Sequence, residues 1–138
     1  MQSLSKPYFK IQPDYEGCLG YFSKDNCCYG CDDDTLELDG YESTPFVIPG
    51  IEDWCWEWDK ENHFIKDHIL DGMESDFDWA TWYFKGLEMV KIIRANLPIS
   101  VDVWYRIPFE LRNVFPVPDL FVKEDGSFLI RDFLNCNK

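Results

Sequence analysis

Long apolar stretches are missing from this chain. No segment approaches the ~20 consecutive apolar residues that a membrane-spanning helix needs, and the most apolar segment, 79–97, is interrupted by Lys85, Glu88, Lys91 and Arg94. Residues 1–11 also lack an apolar run followed by a small-residue cleavage site, so they do not resemble a secretory leader. We therefore expect a cytoplasmic protein that does not bind membranes.

Basic residues are scarce and unevenly placed. The chain holds 13 Lys and Arg against 26 Asp and Glu, a net charge of -13. Residues 1–80 contain 5 Lys and 19 acids, a net of -14, whereas residues 81–138 contain 8 Lys or Arg and 7 acids, a net of +1. Such a field repels nucleic acids and attracts cationic proteins. Charge that serves solubility alone is usually smaller and more evenly mixed, so the asymmetry favours a basic protein partner.

Residue patterns for catalysis are also missing. Histidine occurs twice, and the five-residue spacing of His63 and His68 places them on different faces of a helix or a strand. Motifs for phosphate-binding loops, zinc proteases and serine hydrolases are absent. Nothing selects one carboxylate pair for acid-base work among 26 acids. We therefore do not expect an enzyme.

Cysteine is present in number but not in a complete ligand pattern. Four of the six cysteines lie at positions 18, 27, 28 and 31. Cys28 and Cys31 form a CxxC pair, which can supply two zinc ligands, yet no second pair follows at a suitable spacing. The acids Asp32–Asp34 raise the pKa of a neighbouring thiol. We predict reduced, mainly structural thiols with no metal and no cofactor; a zinc site and a redox or disulfide role stay open as alternatives.

Large apolar side chains are plentiful and predict a folded core. The chain has 138 residues, a common size for one domain, with 6 Trp, 7 Tyr and 11 Phe. A helix is expected from about Asp76 to Leu97, since apolar residues recur there at helical spacing. Ser75 is placed to cap this helix and Pro98 to end it.

Most other segments have the two-residue alternation of strands. The candidates are 8–11, 46–48, 54–58, 99–107, 120–122 and 127–130, while 62–70 fits a strand or a short helix. An Asp125-Gly126 turn separates the last two strands, which indicates a hairpin. The predicted fold is α+β: a single domain over 1–138, with a mostly antiparallel sheet packed against one long helix (about 76–97) and a C-terminal β-hairpin.

Acidic residues are interleaved with large aromatics in the segment 52–59, and again in 76–79. Tryptophan supplies much contact area for few frozen torsions, and neighbouring acids can pair with Lys or Arg of a partner. The three consecutive acids at 32–34 cannot all be neutralised within the protein, because residues 1–80 hold 5 lysines for 19 acids. The alternative is that the tryptophans form the core face of a strand. The candidate partner-binding residues are Asp32, Asp33, Asp34, Glu37, Glu52, Asp53, Trp54, Trp56, Glu57, Trp58 and Asp59.

In size, acidity, aromatic content and lack of a leader, the chain resembles the small acidic immunity proteins of bacterial contact-dependent inhibition and other polymorphic toxin systems. The resemblance implies a cytoplasmic protein that neutralises one cognate toxin, often a nuclease, by covering its basic groove. One alternative is a DNA mimic that blocks a nucleic-acid-binding enzyme, although a full mimic should be acidic beyond residue 80. Another is a small zinc-binding or hydrolytic enzyme built on the cysteines and histidines.

Overall fold

A computed structural model describes residues 6–14, 18–38, 44–68, 77–107 and 117–136, with the backbone alone at 62–68 and 135–136. In chain order the elements are β1 (Tyr8–Asp14), β2 (Cys18–Phe22), β3 (Cys27–Gly30), β4 (Thr35–Leu36), β5 (Phe46–Val47), α1 (Ile51–His68), α2 (Trp79–Asn96), β6 (Asp102–Tyr105), β7 (Leu120–Val122), β8 (Phe128–Ile130) and α3 (Phe133–Cys136). In this described part of the chain, neither α1 nor α2 is apolar enough over its length to cross a membrane.

Six strands form one mixed sheet in the order β3-β2-β1-β6-β7-β8. Strand β1 pairs parallel with β6, and the other four neighbouring pairs of this sheet are antiparallel. Strands β4 and β5 form a separate two-stranded pair. The predicted α+β class is confirmed, but the prediction of one long helix is wrong, because α1 and α2 each contain 18 residues.

Helix α1 occupies the segment where alternating tryptophans predicted a strand, so that prediction is wrong. Trp54 and Trp58 are four residues apart and both face the core, together with Ile51 and Cys55. These positions form the apolar stripe of a helix. Trp56 lies on the opposite side and is 47% exposed. All three tryptophans fit the period of a strand, but Trp54 and Trp58 alone also fit the period of a helix, and the apolar residues Ile51 and Cys55 decide in favour of the helix.

Helix α2 begins later than predicted. Asp78 is its N-cap, and the Asp78 carboxylate accepts a hydrogen bond from the Thr81 backbone N–H at 3.0 Å. The cap is therefore Asp78 and not Ser75; Ser75 and Asp76 lie outside the described residues. At the other end the Arg94 guanidinium donates to the carbonyls of Val101, Leu97 and Pro98. These bonds fix the turn that leads into β6.

The two long helices pack on the sheet face that carries Tyr105. The Tyr105 hydroxyl donates to the Tyr83 carbonyl at 3.1 Å, and the two rings stack. The predicted core face of α2 is confirmed: Trp79, Trp82, Tyr83, Gly86, Val90, Ile93 and Leu97 are all buried. On the other face, Phe133 of α3 packs edge-on against Tyr8 and Trp104.

The remaining strand predictions match the structure in part. Strand β1 extends the predicted 8–11 to Asp14, whereas the predicted 99–107 is strand only at 102–105. Strands β7 and β8 pair antiparallel around Gly126, whose φ of +87° suits a glycine. The short helix α3 follows them, so this pair is not the last element. The ambiguous 62–70 is helical to His68, and 69–70 lie outside the described residues.

Candidate functional site

The three consecutive acids form a tight turn after β3. The Thr35 N–H donates to the Asp32 carbonyl at 3.0 Å, which closes a four-residue turn. Both central residues have positive φ, 54° at Asp33 and 62° at Asp34. Aspartate tolerates this left-handed conformation better than most residues. The aspartates at 33 and 34 are therefore explained in part by the left-handed backbone conformation of this turn.

The Asp34 side chain ties this turn to the start of α1. One carboxylate oxygen accepts from the Gly50 N–H and the other from the Glu52 N–H, each at 2.9 Å. These donors are among the unpaired N–H groups at a helix start. The backbone hydrogen bonds from Glu52 and Gly50 lower the pKa of Asp34 below its usual value. Asp34 thus stabilises the fold, and less of its charge is available to a partner than the sequence suggested.

Glu52 completes the connection in the reverse direction. Its carboxylate accepts a hydrogen bond from the Asp33 N–H at 3.2 Å. The two acidic clusters that the sequence placed 18 residues apart therefore adjoin. We call their meeting point the acidic corner, defined as Asp32, Asp33, Glu52 and Asp53. Asp32, Asp33 and Asp53 are exposed there, and Glu52 is half-buried.

Trp56 is the aromatic side chain that α1 presents beside this corner. Trp54 and Trp58 are 1% and 0% exposed, so they cannot contact a partner while the protein is folded. Their predicted role as partner contacts is corrected to a role in the core. The Trp54 and Trp82 rings stack at 4.3 Å, and each indole N–H donates to the other residue's carbonyl. This reciprocal pair joins α1 to α2.

A shallow groove of about 750 Å³ runs between the outer sides of α1 and α2. Its apolar lining includes the half-exposed ring of Trp56 and the side chain of Met89. Its charged lining is mixed, with two acids and two lysines. The lining residues are Pro49, Gly50, Asp53, Trp54, Trp56, Glu57, Lys60, Lys85 and Met89. The groove offers contact area, whereas the acidic corner offers the unbalanced charge.

Of the other predicted residues, Glu57 lines the groove, and Glu37 and Asp59 lie outside both features. Glu37 is exposed directly after β4, and Glu57 and Asp59 are half-buried on α1. Sequence reasoning missed Lys60, Lys85 and Met89. The four-residue spacings of Lys60 from Trp56 and of Met89 from Lys85 would have placed each pair on one helix face. The spacing of Trp56 and Lys60 carried no signal while 54–58 was interpreted as a strand, and Lys85 and Met89 carried none without α1 beside them.

The cysteines do not converge on a metal geometry. Among the described residues, no three His, Cys, Asp or Glu side chains are grouped as metal ligands; the side chains of His63 and His68 are not described. Burial raises the pKa of Cys31 to about 12, and the charges of Asp34, Asp32 and Glu52 add to the shift. Burial likewise raises the pKa of Cys18 to about 12. Such thiols are protonated at neutral pH and are poor nucleophiles.

Comparison with protein-family models, with curated proteins and with solved structures found no match for this chain.

Proposed function

We propose that this protein is an inhibitor of the immunity type, which binds a basic toxin domain, such as a nuclease, through the acidic corner and the adjacent Trp56. The observation that carries the proposal is the link made by Asp34. It joins two segments, 31–38 and 49–61, that together hold nine acids and one lysine. Because the link is built into the fold, a partner meets carboxylates that are already positioned, which lowers the cost of binding.

Charge and contact area have separate roles in this proposal. The acidic corner attracts a basic groove and speeds association, as complementary charge does in general. Trp56, at the edge of the groove, supplies the large aromatic surface that is common at the energetic centre of interfaces. Residues 81–138 carry a net charge of +1, so the excess of acids is confined to the first 80 residues. That distribution fits a localised patch better than a mimic of duplex DNA.

The proposal expects a basic toxin domain to be encoded beside this chain's gene, and neutralisation of that domain provides the test. We would measure binding and toxin inhibition for a double variant, Asp32→Asn with Asp33→Asn, which leaves Asp34 in place. The double variant should associate more slowly and bind about tenfold or more weakly, because charge that steers the encounter is removed. Trp56→Ala should weaken binding by speeding dissociation.

The matched control removes two exposed acids elsewhere, Glu88→Gln with Glu124→Gln. It changes the net charge equally but lies outside the acidic corner, so binding should change by less than about threefold. If both double variants weaken binding to the same extent, the acidic corner has no special role. A cognate toxin that is acidic, or that this protein does not inhibit, would contradict the proposed function itself.

A further inference from the structure

The outer edge of β8 offers unpaired backbone groups. The Lys123 N–H donates to the Ser127 carbonyl and the Arg131 N–H donates to the Asp119 carbonyl, so alternate residues of β8 face β7. Phe128 and Ile130 therefore point their N–H and C=O groups away from the sheet. In the part of the chain that the structure describes, no strand pairs with this edge. Such an edge is a template for pairing with another strand.

Apolar side chains flank these groups on both faces of the sheet. Ile130 is 73% exposed on the face that carries the long helices, and Leu129 is 39% exposed on the other. Leu134 of α3 is 59% exposed close behind β8 in sequence. Edge strands that avoid association usually carry a charge or a proline. The residues 128–130 have neither.

The charge distribution points to the occupant of this edge. Residues 117–134, which contain β7 and β8, hold four acids and two basic residues, whereas 31–38 and 49–61 hold nine acids and one lysine, so a basic partner is attracted more strongly to the acidic corner than to this edge. A second copy of this chain, by contrast, is repelled less at β8 than at the acidic corner. The acidic corner follows β3, at the opposite edge of the six-stranded sheet, which is roughly 24 Å away at the usual strand spacing. Two copies joined at β8 keep their acidic corners far beyond the screening length of about 8 Å at ~0.15 M salt.

We propose that two copies of this chain pair through antiparallel β8 strands, with the two-fold axis at Leu129. In that register the Phe128 backbone of one copy hydrogen-bonds the Ile130 backbone of the other, and the sheet continues across both copies. Leu129 then faces its own counterpart. Arg131 comes opposite Ser127 of the other copy, where the Asp125 carboxylate accepts from the Ser127 N–H and hydroxyl. The pairing is thus self-complementary in charge as well as in hydrogen bonding.

Sedimentation equilibrium of the full chain, over micromolar to millimolar concentrations, tests this pairing. We expect a reversible dimer of twice 16.4 kDa that becomes tighter between ~0.15 M and ~1 M salt, because screening weakens the repulsion between two acidic copies. Ile130→Lys should raise the dissociation constant about tenfold or more, since it places cations at a desolvated edge. Phe84→Lys on α2, at a side chain 61% exposed, should leave the dimer unchanged.

The register has its own test at Leu129. Leu129→Lys alone and Leu129→Glu alone each place like charges opposite one another and should give monomers. An equimolar mixture of the two variants should restore a dimer, because lysine then faces glutamate. A wild-type chain that stays monomeric at ~1 M salt, where screening is strongest, overturns the proposal. A dimer that persists in both the Leu129→Lys and the Leu129→Glu variant also overturns it. An equimolar mixture of the two variants that stays monomeric does the same.

Discussion

At the scale of single residues, Asp34 shows how one side chain can belong to the fold and to the candidate site together. Its carboxylate accepts hydrogen bonds from two backbone N–H groups at the start of α1, and its own backbone adopts a positive φ. Asp33 beside it has an exposed side chain and serves the turn through its backbone. Two neighbouring aspartates thus differ in role, and neutralising them together would confuse folding with binding.

Asp34→Asn tests this division through the pH dependence of stability. The pKa of Asp34 is lowered from 3.8 in the folded protein, so its charged form stabilises the fold above that value. The contribution is lost as pH falls through the lower, folded pKa. The variant should unfold at lower denaturant than the wild type at pH 7, and this gap should shrink in acid below 3.8.

Asp33→Asn is the matched control for the same denaturant titrations. Its midpoint should lie close to that of the wild type at both pH values, since an exposed side chain contributes little to stability. A gap between Asp34→Asn and the wild type that is equal at neutral and acid pH would contradict the role given to the Asp34 charge.

At the scale of elements, the closeness of α1, α2 and the sheet depends on Gly86. A Cβ atom at this position would overlap the Tyr105 hydroxyl and lie 2.6 Å from Cζ2 of Trp54. Glycine therefore allows the Tyr105 hydroxyl to reach the α2 backbone, and it leaves room for the stacked Trp54 and Trp82 rings. Glycine inside a helix destabilises the fold relative to alanine, and the close packing that Gly86 allows offsets this conformational cost.

Gly86→Ala weighs those two effects against each other. Alanine favours a helix interior by about 1 kcal/mol over glycine, while overpacking a core typically costs about 1–3 kcal/mol. Because the overlap is with two large rings from different elements, we expect a net loss of up to about 2 kcal/mol in chemical denaturation. Lys85→Ala, on the exposed side of α2, should change stability by less than about 0.5 kcal/mol. A Gly86→Ala protein that is more stable than the wild type would show that the rings can move aside.

At the scale of the whole molecule, the fold places the acidic corner and β8 at opposite ends of the six-stranded sheet. Strand β3 leads into the acidic turn, and β8 ends the sheet on the far side. The proposed partner surface and the proposed self-association edge therefore do not overlap. A dimer would present two acidic corners pointing away from each other.

Salt should weaken toxin binding at the acidic corner and strengthen self-association at β8. Raising salt from ~0.15 M to ~1 M shortens the screening length from about 8 Å to about 3 Å. Association with a basic toxin should slow markedly over this range, while dissociation changes less, and self-association should strengthen. Stopped-flow binding kinetics and sedimentation measure the two effects separately. An association rate for the toxin that ignores salt would contradict steering by the acidic corner, whatever the state of the dimer.

The α+β class and the core face of α2 could be predicted from local patterns, because spacing and turn residues act over short stretches. Helix α1 could not. Its three tryptophans satisfy a period of two, although Trp54 and Trp58 also have helical spacing. The segment is a helix because Ile51, Trp54, Cys55 and Trp58 can then be buried together against the sheet and α2. The helical conformation also decides that Trp56 is the exposed one of the three tryptophans.

By itself, the sequence determined how much negative charge the protein carries, that it lies in the first 80 residues, and which segments could form a core. Composition and local spacing are sufficient for those properties. Only the tertiary structure decided that the acids at 32–34 adjoin those at 52–53, since the link is a set of hydrogen bonds between segments far apart in the chain. It likewise decided that β8 is an edge strand within the described part of the chain, because the order of strands depends on pairing between distant segments and not on local preference.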